Sequence, residues 1–238
     1  MNMKKQLFTS LIFILMSLVA FPQTPNTLTR KEKKKGWTLL FDGISTKGWT
    51  TTRGEPVPEK GWEVSNGVLC TVKGTKGGDI ITVNQYSDFD FTLEYKIEPA
   101  CNSGVKYFFT RYETGGNLGM EFQILDDILA EDNKLENHLC GSFYDVLAPD
   151  ASKKKINPPG EWNSIRIVSK GKKAEHWING TKILSFTRGD KAFNEGVAKS
   201  KFSKTVPSFG MVDKGSILLQ EHGGLVSFRN IKIRELNK

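Results

Sequence analysis

Apolar and polar residues alternate along short segments of the chain, in the pattern of half-buried β-strands. Between residues 89 and 97 every odd-numbered residue is apolar, so these side chains face a core and Glu94 faces away from it. Comparable segments are rich in Val, Ile, Phe, Tyr and Thr and are separated by Gly, Pro, Asn and Asp. The predicted strands are residues 37–41, 67–72, 79–83, 89–98, 104–110, 119–125, 162–169, 174–178, 182–186, 216–220 and 226–234.

Turn and helix signals complete the predicted fold. Asn179-Gly180 supplies the two positive φ angles of a type I′ turn, which predicts a hairpin between the strands on either side of it. No segment keeps an apolar period of about 3.6, so we expect no long helix, and a short helix fits only within residues 126–138. Many strands without crossover helices predict an all-β fold, a two-sheet antiparallel β-sandwich of the jelly-roll type.

The beginning of the chain has the pattern of a secretory signal peptide. Two lysines precede an apolar run at residues 7–21, which is shorter than the stretch of about 20 residues that spans a bilayer. We interpret residues 1–22 as a signal peptide, and the alternative is an uncleaved N-terminal anchor. The protein is then exported, periplasmic or secreted, with no membrane span after cleavage. Residues 23–35 are expected to be a flexible segment leading into one jelly-roll domain at 36–238.

Composition and charge limit the partners of the chain. Its 238 residues include 34 Lys and Arg against 26 Asp and Glu, a formal charge of +8, and the lysines concentrate at 31–35, 153–155 and 170–173. Lysine runs without interleaved aromatics are typical of solvated turns, and an exported protein rarely meets nucleic acid, so we expect no nucleic-acid partner. The three cysteines lack CxxC spacing, so neither a zinc knuckle nor a redox pair is indicated.

Polar side chains on three predicted strands form the first candidate site. In two strands after residues 89–97, the same alternation places Lys106, Phe108, Glu121 and Gln123 outside the core. If the three strands are neighbours in one sheet, Glu94, Lys106, Glu121 and Gln123 lie on the same face of that sheet. Two carboxylates, an ammonium and an amide suit sugar binding or acid–base chemistry. The alternative is an ordinary solvated sheet face with cross-strand ion pairs.

The three histidines differ in their surroundings. His222 lies where a predicted strand ends in a Gly-Gly turn, and strand-end loops often carry chemistry. His176 lies on the strand before the Asn179-Gly180 turn, and His138 lies in a loop. No two of them have metal-ligand spacing, and the sequence contains no GxSxG motif or P-loop. Taken one at a time, such histidines are more often structural than catalytic.

Nine short motifs follow one another along residues 36–236. They are Trp37-Thr-Leu-Leu-Phe41-Asp-Gly43, Gly48-Trp49, Asp88-Phe-Asp-Phe-Thr-Leu-Glu94, Asn102-Ser103-Gly104-Val105, Met120-Glu121-Phe-Gln123, Gly141-Ser-Phe-Tyr144, Pro159-Gly160-Glu161-Trp162-Asn163, Trp177-Ile-Asn179-Gly180 and Leu219-Gln220-Glu221-His222-Gly223. As an ordered set, they make the chain similar to the bacterial 3-keto-disaccharide hydrolase family, which has a concanavalin/laminin-G-like jelly roll. Glu221 replaces the usual Asp of that family, and residues 199–208 match none of its motifs.

The resemblance implies an enzyme that cleaves 3-keto-glycosides or 3-keto-disaccharides. A ketone at C3 acidifies the C2 hydrogen, because the resulting carbanion is an enolate. A base removes that proton, the aglycone leaves C1 by elimination, and water addition completes a net hydrolysis. Such a site needs a base near C2, donors at the enolate oxygen and an acid for the leaving oxygen.

The resemblance also suggests roles for named residues. Glu121 and His222 become the leading acid/base candidates, with the assignment of base and acid left open. We expect six further residues to bind the carbohydrate substrate: Glu94, Lys106, Gln123, Tyr144, His176 and Gln220. We expect no cofactor, although a divalent metal on the carboxylate and histidine set would polarise the C3 ketone. The alternatives are a non-catalytic carbohydrate-binding module and an inert structural sandwich.

Overall fold

The computed structural model describes residues 24–113, 116–204, 206 and 208–236. The predicted signal peptide, residues 1–22, lies outside the described residues. Within those ranges, no helix is both long enough and apolar enough to cross a membrane.

Two antiparallel sheets form the body of the protein. The larger sheet contains, in spatial order, β11 (Thr181–Thr187), β10 (Lys173–Ile178), β9 (Asn163–Lys170), β6 (Phe89–Ile97), β13 (Val226–Glu235), β4 (Val68–Thr71) and β3 (Trp62–Ser65), and β1 (Trp37–Leu39) also pairs with β13. The smaller sheet contains β2 (Trp49–Thr51), β5 (Ile80–Thr82), β12 (Ser216–Leu219), β7 (Asn102–Tyr112) and β8 (Gly116–Leu125). The predicted all-β, two-sheet antiparallel jelly-roll sandwich is confirmed.

Two short strands, β2 and β3, were not predicted from the sequence. Each begins with a buried tryptophan, Trp49 or Trp62. The Trp49 indole donates to the Leu40 carbonyl at 2.6 Å, and the Trp62 indole donates to the Gly78 carbonyl at 2.8 Å. The buried indole at the start of each strand is its main signature in the sequence.

Helices are few and short in the described part of the chain. The short helix predicted within residues 126–138 is only a 3₁₀ turn at Glu136–His138. A second helix, α2, was not predicted and spans Lys191–Lys199. Asp190 caps its N-terminus, and the Asp190 side chain accepts the Phe193 backbone N–H at 2.8 Å. Burial of the Phe193 ring fixes this helix against the sandwich.

The segment that leads into the domain has more structure than the sequence indicated. A helix, α1, spans Arg30–Lys34 and begins with a capping box between Thr29 and Glu32. Before it, the buried Asn26 exchanges two backbone-to-side-chain hydrogen bonds of 2.7 and 2.8 Å with Asn230 on β13. These contacts tie the segment to the larger sheet.

The core lies between the two sheets and is strongly aromatic. Phe89 of the larger sheet packs edge-to-face on Tyr107 and Phe108 of the smaller sheet, with ring centroids 6.1 and 5.7 Å away. Alternation placed Phe108 outside the core, but its side chain is 1% exposed. The backbone of Phe108 adopts a positive φ of 53°, and the β7–β8 register shifts here, so a β-bulge turns two consecutive rings inward.

Candidate active site

The non-core face of the smaller sheet carries three of the predicted polar side chains. On adjacent strands β7 and β8, Lys106 stands opposite Glu121, and Gly104 stands opposite Gln123. The intervening residues of both strands are buried in the core, as alternation predicts. The three side chains therefore share one face because their strands are neighbours with this register.

A cavity of about 180 Å³, here called the inner cavity, opens above this face. It brings together six of the eight predicted site residues: Lys106, Glu121, Gln123, Tyr144, Gln220 and His222. Its other lining residues, which the sequence analysis did not assign to the site, are Asn102, Leu118, Gly119, Asp132, Lys201 and Phe202. Amide, hydroxyl, carboxylate and ammonium groups converge on a small concave space, the usual form of a site for a polar ligand.

Glu121 is the carboxylate at the floor of the inner cavity. The residue is only 7% exposed, and its Oε2 lies 3.7 Å from the Lys106 ammonium nitrogen. Burial raises the pKa of Glu121 above its ordinary value, and the nearby charges of Lys106 and Lys201 partly oppose this rise. The result is a carboxylate of increased basicity that an adjacent cation still helps to ionise.

The absence of a side chain at Gly104 makes room for this carboxylate. A Cβ atom placed on Gly104 would lie 2.3 Å from Glu121 Oε1. With its amide nitrogen turned toward Glu121, Gln123 donates to the same Oε1 at 3.3 Å and to the Ser103 carbonyl at 3.0 Å. The neighbouring strand thus fixes where the carboxylate oxygen lies.

Gln220 provides an unused acceptor on the cavity wall. Its backbone N–H donates to the Gly104 carbonyl at 3.0 Å, and its carbonyl accepts the Ser103 hydroxyl at 2.9 Å. Its side-chain Oε1 is buried and has no hydrogen-bond partner among the described residues. A buried acceptor of this kind is costly unless a ligand or water donor satisfies it, and a sugar hydroxyl in the cavity is such a donor.

A hydrogen-bond network holds Tyr144 at the cavity rim. The Tyr144 hydroxyl donates to Asp132 Oδ2 at 2.8 Å, and burial together with this carboxylate raises the pKa of Tyr144 well above its usual range. The His138 ring lies between Asp132 at 2.7 Å and Asp145 at 2.9 Å. Burial opposes charge on His138, but both hydrogen bonds favour it, and the pKa of His138 is raised. The network keeps Tyr144 protonated.

Lys201 and Phe202, from the segment that matched none of the family motifs, supply part of the cavity wall. Lys201 places its ammonium nitrogen 4.4 Å from the centre of the Tyr144 ring, and its backbone N–H donates to Asp145 Oδ2 at 2.8 Å. Phe202 packs on Phe209 with ring centroids 4.0 Å apart. Lys201 and Phe202 lie outside any strand-like pattern, so the sequence analysis did not assign them to the site.

His222 lies on a loop that is held from behind. The backbone N–H of Glu221 donates to Asp79 Oδ1 at 3.0 Å, and the Glu221 carboxylate accepts the Gly223 N–H at 2.7 Å and the Gly78 N–H at 3.3 Å. Glu221 thus shapes the loop instead of entering the cavity. The exposed His222 ring makes no hydrogen bond to the described residues and remains at the mouth of the cavity.

Glu94 lies elsewhere, which corrects the predicted common face. It belongs to β6 in the larger sheet, where its carboxylate accepts a hydrogen bond from the Arg229 guanidinium at 2.6 Å. Alternation identifies the face of a strand but does not identify the sheet to which that strand belongs.

His176 is also remote from the inner cavity, which corrects its predicted place among the substrate contacts. It is fully buried in the core, with Nε2 2.9 Å from the Tyr107 hydroxyl and Nδ1 3.0 Å from the Gly141 carbonyl. Burial lowers the pKa of His176 to about 4, so the ring is neutral at neutral pH, with Nδ1–H donating and Nε2 accepting. It is a packed histidine with both nitrogens satisfied.

The described residues contain no group of three or more His, Cys, Asp or Glu side chains gathered at metal-binding distance.

Known proteins match this chain along most of its length. Residues 36–234 match the family described as the 3-keto-alpha-glucoside-1,2-lyase-like domain. The chain is 28% identical over 232 residues to the 3-keto-disaccharide hydrolase of Bacteroides thetaiotaomicron, covering 85% of this chain and 79% of that protein. Two Parabacteroides distasonis crystal structures, both provisionally assigned as glycosyl hydrolases, are 34% and 29% identical, with TM-scores of 0.79 and 0.69. The matches cover 90% and 84% of this chain and 100% and 99% of theirs.

The sandwich fold, the polar cavity and these relatives place the chain among the glycoside hydrolases, which are enzymes. More particularly, the chain belongs to the 3-keto-alpha-glucoside-1,2-lyase-like family, whose match covers nearly all of the jelly-roll domain. The resemblance identified from the ordered motifs is confirmed, and so is the prediction of a hydrolase.

Proposed function

We propose that the inner cavity binds a glycoside oxidised at C3 and cleaves its glycosidic bond through an enolate. The observation that carries this proposal is Glu121, a 7%-exposed carboxylate of raised pKa beside the Lys106 ammonium in a polar cavity. A purely binding surface has no need of a buried carboxylate with increased basicity, whereas proton abstraction at C2 does. The name of the Bacteroides thetaiotaomicron relative, a 3-keto-disaccharide hydrolase, supports the same substrate class.

The carboxylates of the cavity argue against ordinary glycosidase chemistry. Retaining and inverting glycosidases use two carboxyl groups at defined separations, one as acid and one as nucleophile or base. Glu121 and Asp132 are the carboxylates among the described lining residues. Both oxygens of Asp132 already accept hydrogen bonds, one from Tyr144 and one from His138. One available carboxylate suits a reaction that needs a base but no nucleophile.

The reaction divides among the cavity residues as follows. Glu121 and His222 form the acid/base pair. The Lys106 ammonium stabilises negative charge that develops on the C3 oxygen. The Gln123 amide donates to Glu121 and to the Ser103 carbonyl, so its oxygen is left to accept from a sugar hydroxyl. The Tyr144 hydroxyl, which donates its proton to Asp132, accepts from a sugar hydroxyl, and so does the buried Gln220 Oε1. Elimination leaves a C1–C2 double bond, and water addition, with hydroxyl to C1 and a proton to C2, gives the free 3-keto sugar.

The test compares a 3-keto-glucoside with its parent glucoside in heavy water. We expect the enzyme to release the aglycone from the 3-keto-glucoside and not from the parent, with deuterium appearing at C2 of the product. Nuclear magnetic resonance measures both results in one sample. Cleavage of the parent at a similar rate, or cleavage of the 3-keto-glucoside without deuterium at C2, would sink the proposal. Retention of both substrates unchanged, with measurable binding, would instead favour a carbohydrate-binding module.

The acid limb of the pH–rate profile should move in opposite directions in two charge variants. Glu121 acts as a base only when ionised, so kcat/KM rises as pH rises through its raised pKa. Lys106→Met removes a cation that lowers this pKa, so the limb shifts to higher pH. Asp79→Asn removes an anion that raises it, so the limb shifts to lower pH. Limbs that stay in place in both variants would show that another group controls the profile.

A further inference from the structure

A second cavity adjoins the inner cavity and shares a wall with it. This outer cavity has a volume of about 480 Å³. Three residues, Asn102, Asp132 and His222, line both cavities. A ligand that fills both spaces therefore passes beside these three side chains.

His222 lies where the two cavities meet, whereas Glu121 lies in the inner cavity alone. Glu121 lines the inner cavity only and is almost completely buried on the sheet face. His222 stands at the junction, exposed, on a loop whose backbone Glu221 and Asp79 hold in place. In an elimination the base acts on the ring that loses its C2 proton, whereas the acid acts at the bond between that ring and its leaving group.

The walls of the outer cavity suit a hydroxylated group. Lys73 and Glu98 form an ion pair of 2.8 Å on one side, and the exposed Glu131 lies on another. Ammonium and carboxylate groups bind sugar hydroxyls well. Pro99, Ala100 and Ala130 add small apolar surfaces to the same cavity, against which the CH face of a sugar ring can pack. The volume exceeds that of the inner cavity, so the outer cavity has room for a second sugar ring where the inner cavity takes the first.

We propose that the outer cavity receives the leaving sugar of a 3-keto-disaccharide and that His222, at the junction, is the acid that protonates the leaving oxygen. Glu121 is then the base. This assignment rests on the proposed function, and it adds the place where the leaving sugar binds and the separate roles of the two residues.

The proton and electron balance of the step is complete. The Glu121 carboxylate takes the C2 proton, and the C–H electrons form the enolate on C2, C3 and the C3 oxygen. The enolate electrons then form the C1–C2 double bond as the C3 ketone returns. The C1–O bond breaks, and its electrons leave with the oxygen, which takes a proton from the His222 imidazolium. Once the leaving group has departed, the proton on Glu121 exchanges with solvent. In the hydration step, neutral His222 takes a proton from water and Glu121 delivers a solvent-derived proton to C2.

Leaving groups of different acidity test the role of His222. We expect His222→Gln to lower kcat for a 3-keto-disaccharide by about 10²–10⁴-fold, the usual contribution of a general acid. The same variant should lose much less activity on 4-nitrophenyl 3-keto-glucoside, because nitrophenolate leaves without a proton. Equal losses on both substrates would overturn the assignment.

Proton exchange separates the base from the acid. The ketone 3-keto-1,5-anhydroglucitol has no leaving group, so the exchange of its C2 hydrogen in heavy water depends on the base alone. We expect His222→Gln to exchange as fast as the wild type and Glu121→Gln to lose exchange. Loss of exchange in His222→Gln would make His222 the base. Absence of exchange and cleavage in the wild type would instead defeat the proposed function itself.

A bulky side chain tests the outer cavity. Glu131→Trp narrows this cavity, and we expect it to raise KM for the 3-keto-disaccharide several-fold while leaving KM for methyl 3-keto-glucoside unchanged. Glu136→Trp is the matched control, because Glu136 is equally exposed in the 3₁₀ turn and lines neither cavity. A Glu131→Trp variant with the wild-type KM for both substrates would remove the leaving sugar from the outer cavity.

Discussion

Glu121→Gln should lower kcat/KM on a 3-keto-glucoside by about 10²–10⁴-fold, the range associated with loss of a general base. The amide has the shape of the carboxylate but cannot take the C2 proton. It also removes the negative charge that faces the Lys106 ammonium at 3.7 Å. Steady-state kinetics of release and the rate of C2 hydrogen exchange measure the loss. Both rates should fall together, because both depend on the same proton transfer.

Glu94→Gln is the matched control for this change. It replaces a carboxylate by an amide on another strand, in an ion pair with Arg229 that lies in the larger sheet. The structure predicts activity close to that of the wild type, whereas the common sheet face expected from the sequence predicts a loss. Comparable losses in Glu94→Gln and Glu121→Gln would mean that the kinetic effect reports stability instead of base catalysis.

The alternation of apolar and polar residues predicted side-chain positions correctly where each strand has one face in the core. Alternation located the face of β7 and β8 that carries Lys106, Glu121 and Gln123, because each strand has one side in the core. It misplaced Glu94, because two strands with the same period can belong to different sheets. The substrate contact that the family resemblance suggested for His176 is a different error: His176 occupies a core position in phase with Ala174 and Ile178, where Tyr107 and Gly141 satisfy its ring nitrogens.

Part of the wall of the inner cavity comes from segments that have no strand period. Asp132, Lys201 and Phe202 lie outside the strands, and hydrogen bonds and ring contacts specific to the folded chain bring them to the site. Asn102 belongs to the Asn102-Ser103-Gly104 motif, but nothing in that motif indicated that its side chain contacts a ligand. Residue type and spacing therefore located the polar floor of the inner cavity, and only the tertiary structure shows its walls.

Gly104→Ala should lower kcat by about 10²-fold with little effect on the fold, because a displacement of about 1 Å at a catalytic group costs that much. The added Cβ would lie 2.3 Å from Glu121 Oε1, at the end of a side chain that is able to turn aside. The backbone of Gly104 has no positive φ, so alanine fits the strand itself. The variant therefore keeps the carboxylate and its charge but changes its position. Kinetics on a 3-keto-glucoside and thermal unfolding measure the two effects separately.

A double-mutant cycle with Glu121→Gln identifies the path of this effect. If Gly104 acts by placing the carboxylate, then Gly104→Ala costs little more once Glu121 is already glutamine, and the two losses are strongly non-additive. Additive losses would show that alanine disturbs another part of the cavity. The cycle thus shows whether Gly104 is needed to leave room for the Glu121 carboxylate or for the packing of its own strand. The rate of the single variant does not separate these two roles.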